Sequence, residues 1–82
     1  PKPVYPALAR RMGEEGRVVL RVHVDPNGRP GSIAIRTSSG SERLDQAATA
    51  AVARWRFVPA RRGDTAVSAS VLVPIVFNLT EQ

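Results

Sequence analysis

The 82-residue sequence predicts an α+β domain: a three-stranded antiparallel sheet in spatial order 2-1-3, with two helices packed on one face and the element order α-β-β-α-β. Three observations carry that prediction. Two stretches, "GRVVLRVHV" and "VSASVLVPIVFNL", alternate with the period of a strand. One stretch, "SERLDQAATAAVARWRF", carries an apolar stripe at helical spacing. Between the first strand and its neighbour, Asp25-Pro26-Asn27-Gly28 supplies the residues of a tight turn.

The chain opens with Pro1-Lys2-Pro3, which reads as the end of a linker over residues 1–4. A single domain is expected over residues 5–80, with 81–82 as a tail. After Tyr5, Pro6 suits the first position of a short helix over "ALARRMG", and Gly13 suits its exit. Two turns of helix are not stable alone, so this element must be held by packing.

In the first strand Val18, Leu20, Val22 and Val24 share one face, and Arg17, Val19, Arg21, His23 and Asp25 share the other. That is a half-buried strand with a largely polar outer face. The second strand, "SIAIRTS", is expected to turn Ile33, Ile35 and Thr37 inward. The main helix follows. Leu44, Ala47, Ala48, Ala51, Val52 and Trp55 form its apolar stripe, and Ser39 or Ser41 can cap it. Ser39-Gly40-Ser41-Glu42 has capping-box spacing. Glu42 and Asp45 suit the positive end, and Arg54 and Arg56 the other. Pro59 helps to end the helix, and "ARRGDT" is expected to be a loop.

A helix of roughly 16 residues covers about 24 Å, enough to carry the chain back across the sheet. The last strand then runs antiparallel to the first and lies beside it, with a right-handed crossover. Its position at the edge explains Pro74, which cannot donate to a ladder and is excluded from central strands. If the even-numbered residues point their backbone groups away from the first strand, Pro74 removes no internal hydrogen bond. Edge strands are usually short, charged or covered. This one is long and nearly uncharged, with Leu72, Pro74 and Val76 on its outer face. Two readings stand: Pro74 guards an edge that has no partner, or the edge is a rail for another extended chain.

The composition sets the function classes aside one by one. There is no cysteine, hence neither a disulfide nor a thiolate metal site. No run of 18 apolar residues is present to cross a membrane as a helix. Catalysis needs an activated nucleophile, a paired acid and base, or a metal. The single His23 lies on the polar strand face, and of the seven acidic residues six fall in turns, a strand entry and a helix start, the seventh being Glu81 in the tail. No enzyme activity, cofactor or metal is expected. A net charge of +5 leaves a small basic nucleic-acid-binding module as the alternative. Sheet readers of RNA stack bases on exposed aromatics, however, and only Tyr5 of the four aromatics is expected to be free.

Tyr5-Pro6, the Glu15-Gly16 strand entry, Ser38-Ser39-Gly40, Leu44-Asp45 with Ala47-Ala48, and Trp55-Arg56-Phe57 before Pro59-Ala60 occur in an order that resembles the TonB carboxy-terminal domain family. The resemblance runs from Tyr5 to about Leu79. It implies a periplasmic domain, tethered to the bacterial inner membrane by an N-terminal helix and a proline-rich linker outside this sequence. It implies two partners: TonB-dependent outer-membrane receptors, bound through their Ton box, and an inner-membrane proton-driven motor complex that engages the missing N-terminal regions. The transmitted work would serve uptake of iron chelates, haem or cobalamin-type cargo. Carried over by position, the Ton box would add as a strand along Ser68, Ser70, Val71, Leu72, Val73, Pro74, Ile75 and Val76. A secondary receptor contact transfers to Val4 and Tyr5, although the glutamines some relatives have there are absent. Some members also lack a proline at the place of Pro74. No nucleic acid partner is expected. A monomer is expected, with edge-strand dimers as the hazard for an isolated piece.

Overall fold

A computed structural model describes residues 3–81; Pro1, Lys2 and Gln82, parts of the expected linker and tail, lie outside the described residues. The elements in chain order are α1 (Ala7–Arg11), β1 (Gly16–Val24), β2 (Pro30–Thr37), α2 (Glu42–Val52), β3 (Ala60–Arg62), β4 (Thr65–Val67), β5 (Ala69–Phe77) and a 3-10 turn at Leu79–Glu81. The main sheet has the order β2-β1-β5, and both pairings are antiparallel. The three-stranded architecture with its central first strand is thus the expected one.

One face of this sheet makes the core. Val18, Leu20, Val22 and Val24 of β1 meet Ala9 of α1, Leu44, Ala48 and Val52 of α2, and Ile75 and Phe77 of β5. Both helices therefore lie on the same side. The alternation in β1 is the cause: its even residues from Val18 to Val24 are buried, while Arg17, Arg21 and His23 stay exposed on the opposite face. Tyr5 closes the core at the α1 end. Its ring meets Phe77 edge-on at 5.3 Å, its hydroxyl donates to the Glu14 carbonyl, and Arg10 lies over its face. The expectation that Tyr5 is free is therefore corrected; an apolar ring with one polar end is better placed half-buried.

The start of α2 is built differently from the expected capping box. Ser41 is the N-cap, its Oγ accepting from the Leu44 amide at 3.2 Å. Glu42 is then the first helical residue, too early to reach back as a capping-box partner. Asp45 reaches back instead. Buried within the first turn, it accepts from Ser38 Oγ at 2.5 Å, Ser39 Oγ at 2.7 Å and the Ser39 amide at 2.9 Å. Burial by itself pushes the Asp45 carboxyl up, but these three donors outweigh it and hold the group below the usual carboxylate range. Glu14 ties the same corner to the α1–β1 connection, accepting from Ser41 Oγ and pairing with Arg43.

The helix ends at Val52, short of the expected Trp55–Phe57, so Arg54 and Arg56 are not in its last turn. Two forces stop it. The Arg54 and Trp55 amides bond only three residues back, to the Ala51 and Val52 carbonyls, which tightens the last turn, and the Phe57 amide is taken by the Gly28 carbonyl at 2.8 Å. Trp55 and Phe57 still pack against the core, from an extended segment laid along the β1–β2 turn. Gly28 makes this approach feasible. It has φ 82, and a Cβ there would lie 2.2 Å from the Phe57 oxygen.

Two further expectations are corrected. Ile35 stands opposite the buried Leu20, on the core side as expected, but at the open edge of β2 it is 48% exposed; Thr37 is exposed on the other face. The pairing of β2 slips by one residue at Arg36: Leu20 faces Ile35, but Val19 faces Thr37. That bulge turns Thr37 to the outer face. "ARRGDT" is a hairpin, not a loop. β3 and β4 pair as a separate two-stranded sheet, closed by Gly63-Asp64. Every β3 residue is exposed, and the domain is long, 48 × 21 × 16 Å. Its radius of gyration of 14.1 Å exceeds the value of about 12 Å for a compact chain of this length.

Candidate functional site: the outer edge of β5

β5 pairs with β1 without interruption from Ala69 opposite Val24 to Phe77 opposite Gly16, and Pro74 faces Val19 within that run. A proline has no amide proton, so an unbroken ladder requires Val19 and Pro74 to be a non-hydrogen-bonded pair. The parity of the strand follows. The backbone groups of Val71, Val73 and Ile75 point toward β1. Those of Ser70, Leu72 and Val76, with the Pro74 carbonyl, point away from it. No other strand lies on that side among the described residues, and none of the remaining backbone hydrogen bonds there involves these four residues.

The side chains divide by the same parity. Ser70, Leu72, Pro74 and Val76 face away from the helices and are exposed; Leu72 is 47% and Val76 62% accessible. Val71 and Val73 lie on the helix side with partial exposure, and Ile75 is buried in the core. Of the eight expected site residues, Ile75 therefore has no side chain to offer a partner. Ser68 is exposed between β4 and β5. Val4 is 80% exposed, whereas Tyr5 beside it is committed to Phe77 and Glu14. Burial, and then the charge of Glu15, push the Tyr5 hydroxyl up against the opposing pull of Arg10. Glu15 also accepts from the Leu79 amide at 2.9 Å, which fixes where the chain leaves β5.

The structure adds residues that the sequence reading left on a generic polar face. Arg21 of β1 stands opposite Leu72, and Arg36 of β2 occupies the bulge. Both line an open groove of about 370 Å³ with Ser70, Val71 and Leu72. The alternation of β1 places Arg21 outward, and that of β2, with Ile35 opposite Leu20, places Arg36 on the same face. His23 lies on the same face, opposite Ser70, and is exposed. Among the described residues no three His, Cys, Asp or Glu converge as metal ligands would.

The sheet is covered by helices on one side only, and its nine-residue outer strand is open along its length. The chain belongs to the TonB C-terminal domain family: residues 1–79 match the family described as the Gram-negative bacterial TonB protein C-terminal. Protein tonB2 of Pseudomonas aeruginosa is 60% identical over 79 residues, covering 96% of this chain and 29% of that protein. Protein TonB of Vibrio cholerae is 36% identical over 78 residues, covering 95% of this chain and 32% of that protein. The chain thus spans about a third of the length of these curated relatives. The solution NMR structure of the Pseudomonas aeruginosa TonB C-terminal domain superposes with a TM-score of 0.82 at 30% identity, covering all of this chain and 83% of that one. The corresponding domain of Helicobacter pylori shares the fold, with a TM-score of 0.67 at 22% identity over 99% of this chain and 85% of that one.

Proposed function

We propose that this domain docks the Ton box of TonB-dependent outer-membrane receptors by adding it as a strand to β5. Family membership supports the class of partner, since these domains are the receptor-interacting part of TonB energy transducers. The observation that carries the reading is the vacant outer side of β5. Ser70, Leu72 and Val76 hold unclaimed amides and carbonyls along a straight edge, with exposed Leu72 and Val76 side chains beside them. In this reading the domain works in the periplasm. A tether beyond residue 1 links it to an inner-membrane proton-driven motor, and the work serves uptake of iron chelates, haem or cobalamin-type cargo. Val4, exposed ahead of α1, is the secondary receptor contact.

Main-chain hydrogen bonds depend little on partner sequence, so one edge can serve several receptors. Each contributes about 0.5–1.5 kcal/mol net. About four or five, with apolar contact at Leu72 and Val76, give a dissociation constant on the order of micromolar. Such a complex forms and releases readily. Titration of the isotope-labelled domain with a synthetic Ton-box peptide tests the reading. Shift changes confined to residues 68–76 and the facing rim of the sheet are expected. Saturable binding that leaves β5 untouched would refute strand addition.

A further inference from the structure

Charge is distributed unevenly along the 48 Å length of the domain. At the end where Tyr5 meets Phe77 and β1 begins, Glu14, Glu15, Glu42 and Asp45 are interspersed with arginines, and Glu14 pairs with Arg43. The opposite end is built from the β1–β2 turn, the segment after α2 and the β3–β4 hairpin. These meet where Val24 pairs with Ala69 and the Phe57 amide reaches the Gly28 carbonyl. This end carries Arg29, Arg54, Arg56, Arg61 and Arg62, all exposed, against Asp25 and Asp64. Asp25 is taken up by its own turn, accepting from the Asn27 and Arg29 amides at 2.9 Å each. Arg61 donates to the Asp64 carbonyl, not to its carboxylate. Among the described residues none of the five guanidinium groups is in an ion pair. The segment after α2 adds an apolar point. Trp55, Phe57 and Pro59 are half-buried, while Arg56, Val58 and Ala60 between and after them are exposed. Phe57 and Pro59 both stand close against Gly28, so Val58 is held outward, 93% exposed.

We propose that this end is a contact for the surface of an anionic phospholipid bilayer, with its arginines on lipid phosphates and Val58 set into the headgroup layer. Charge complementarity selects the class of partner. Guanidinium groups without a carboxylate partner draw the domain to a polyanionic surface, and each can hold a phosphate through two parallel hydrogen bonds. Val58 selects lipid among polyanions. A single-stranded nucleic acid is held by exposed aromatics on which its bases stack, and at this end Trp55 and Phe57 are packed against the core. A membrane interface accepts an apolar side chain set among cations. Each arginine near such a surface strengthens binding about five-fold, and the attraction fades beyond a Debye length of about 8 Å at physiological salt. The contact is therefore shallow and readily reversed. It uses none of Ser70, Leu72 and Val76, so a strand can dock on β5 at the same time. In the proposed function the tether joins ahead of Tyr5, so this far end leads toward the outer membrane; only that orientation rests on the reading above. Held there, the domain searches for receptors along the surface in which they sit.

Vesicle sedimentation with the isotope-labelled domain tests the inference. Vesicles of phosphatidylglycerol mixed with phosphatidylcholine are compared at low salt with vesicles of phosphatidylcholine alone. Binding is expected to the first only, with line broadening from a spin-labelled lipid centred on Val58 and the β3–β4 hairpin. Arg61→Gln/Arg62→Gln should weaken partitioning about 25-fold. Arg11→Gln/Arg17→Gln removes the same charge from the opposite end and should weaken it by less than about two-fold. Val58→Ser should weaken it about three-fold, at salt that screens the arginines as well as at low salt. Equal losses in the two arginine pairs would overturn the inference, since net charge and not this end would then bind. So would equal binding to neutral vesicles, or broadening centred on the helix-free sheet face. Tighter binding to an oligonucleotide or an acidic peptide of matched charge, insensitive to Val58→Ser, would assign the end to another polyanion and also overturn it. The substituted residues are all exposed, so the variants keep the core. The Arg61→Gln/Arg62→Gln and Val58→Ser variants should still give the β5 shifts with a Ton-box peptide. Unaltered vesicle binding in those variants with the β5 shifts intact overturns the lipid contact alone; vesicle binding as expected without any β5 shift in the parent domain removes strand addition alone.

Discussion

Asp45 shows how much a single side chain does in a domain of this size. It is the one buried charged residue among those described, and its oxygens are met by Ser38 and Ser39. Replacing it with Asn leaves hydroxyl donors facing a poorer acceptor and is expected to cost about 2 kcal/mol in urea unfolding at neutral pH. The sign of its pH dependence follows from its lowered pKa. The unfolded chain binds the proton more readily, so stability from this carboxylate is full above the ordinary aspartate value of about 3.9 and is lost as pH falls through the depressed folded value. Asp45→Asn should therefore flatten the acid limb of the stability curve below about pH 4.5. An unchanged acid limb would show that other groups govern acid unfolding. At Gly28 the constraint is steric. An alanine Cβ would meet the Phe57 oxygen at 2.2 Å, on a backbone with φ 82, and Gly28→Ala is expected to destabilise by more than about 2 kcal/mol by thermal melting. The sequence showed this glycine as a turn residue. It did not show that Phe57 presses against it, because that contact joins residues far apart in the chain.

Among the elements, strands were more legible than helix ends. The alternation of β1 and of β5 depends on one period and one buried face, and both are found in the fold, although the last strand is shorter than expected: Val67 belongs to β4 and Leu79 to the 3-10 turn. The end of α2 depends on competition for the Phe57 amide, which no local pattern reveals. The bulge in β2 and the β3–β4 hairpin are likewise set by register, not by composition. The candidate edge was legible because Pro74 has a chemical consequence visible without coordinates. Its parity yields an element-level prediction. Leu72→Pro or Val76→Pro removes an amide that points outward, so each variant should remain folded yet bind a Ton-box peptide several-fold more weakly. Val73→Pro removes an amide that points to β1, and should destabilise the sheet by about 3 kcal/mol or more. Equal destabilisation by all three would mean that the parity is wrong. In the opposite direction, Pro74→Val adds an outward donor and should raise both peptide affinity and self-association, measured by sedimentation.

On the scale of the whole molecule, shape and polarity bear on how a weak complex transmits work. The domain is 48 Å long. The N-terminal segment enters beside the end of β5, where Tyr5 meets Phe77. In the proposed function a tether pulling on that segment loads the domain at the Phe77 end. If the receptor body leaves the docked strand at the Ala69 end, the interstrand bonds are loaded together along the strand axis. If it leaves at the Phe77 end, they open one at a time. Single-molecule pulling on the complex, with the peptide anchored at either end, should give a markedly higher rupture force in the first geometry. Equal forces would remove edge-strand loading as the means of transmission. The fold needed for this was readable from the sequence. The groove bearing Arg21 and Arg36 was not, since it exists only once three strands are assembled.

Amide hydrogen exchange along β5, with and without saturating Ton-box peptide, tests the central claim most directly. In the free domain, Val71, Val73 and Ile75 should be protected by β1, while Ser70, Leu72 and Val76 exchange quickly. With peptide bound, the second set should become protected and the first should change little. Protection of Ser70, Leu72 and Val76 in the free monomer, or its absence in the saturated complex, would contradict an open edge that accepts a visiting strand.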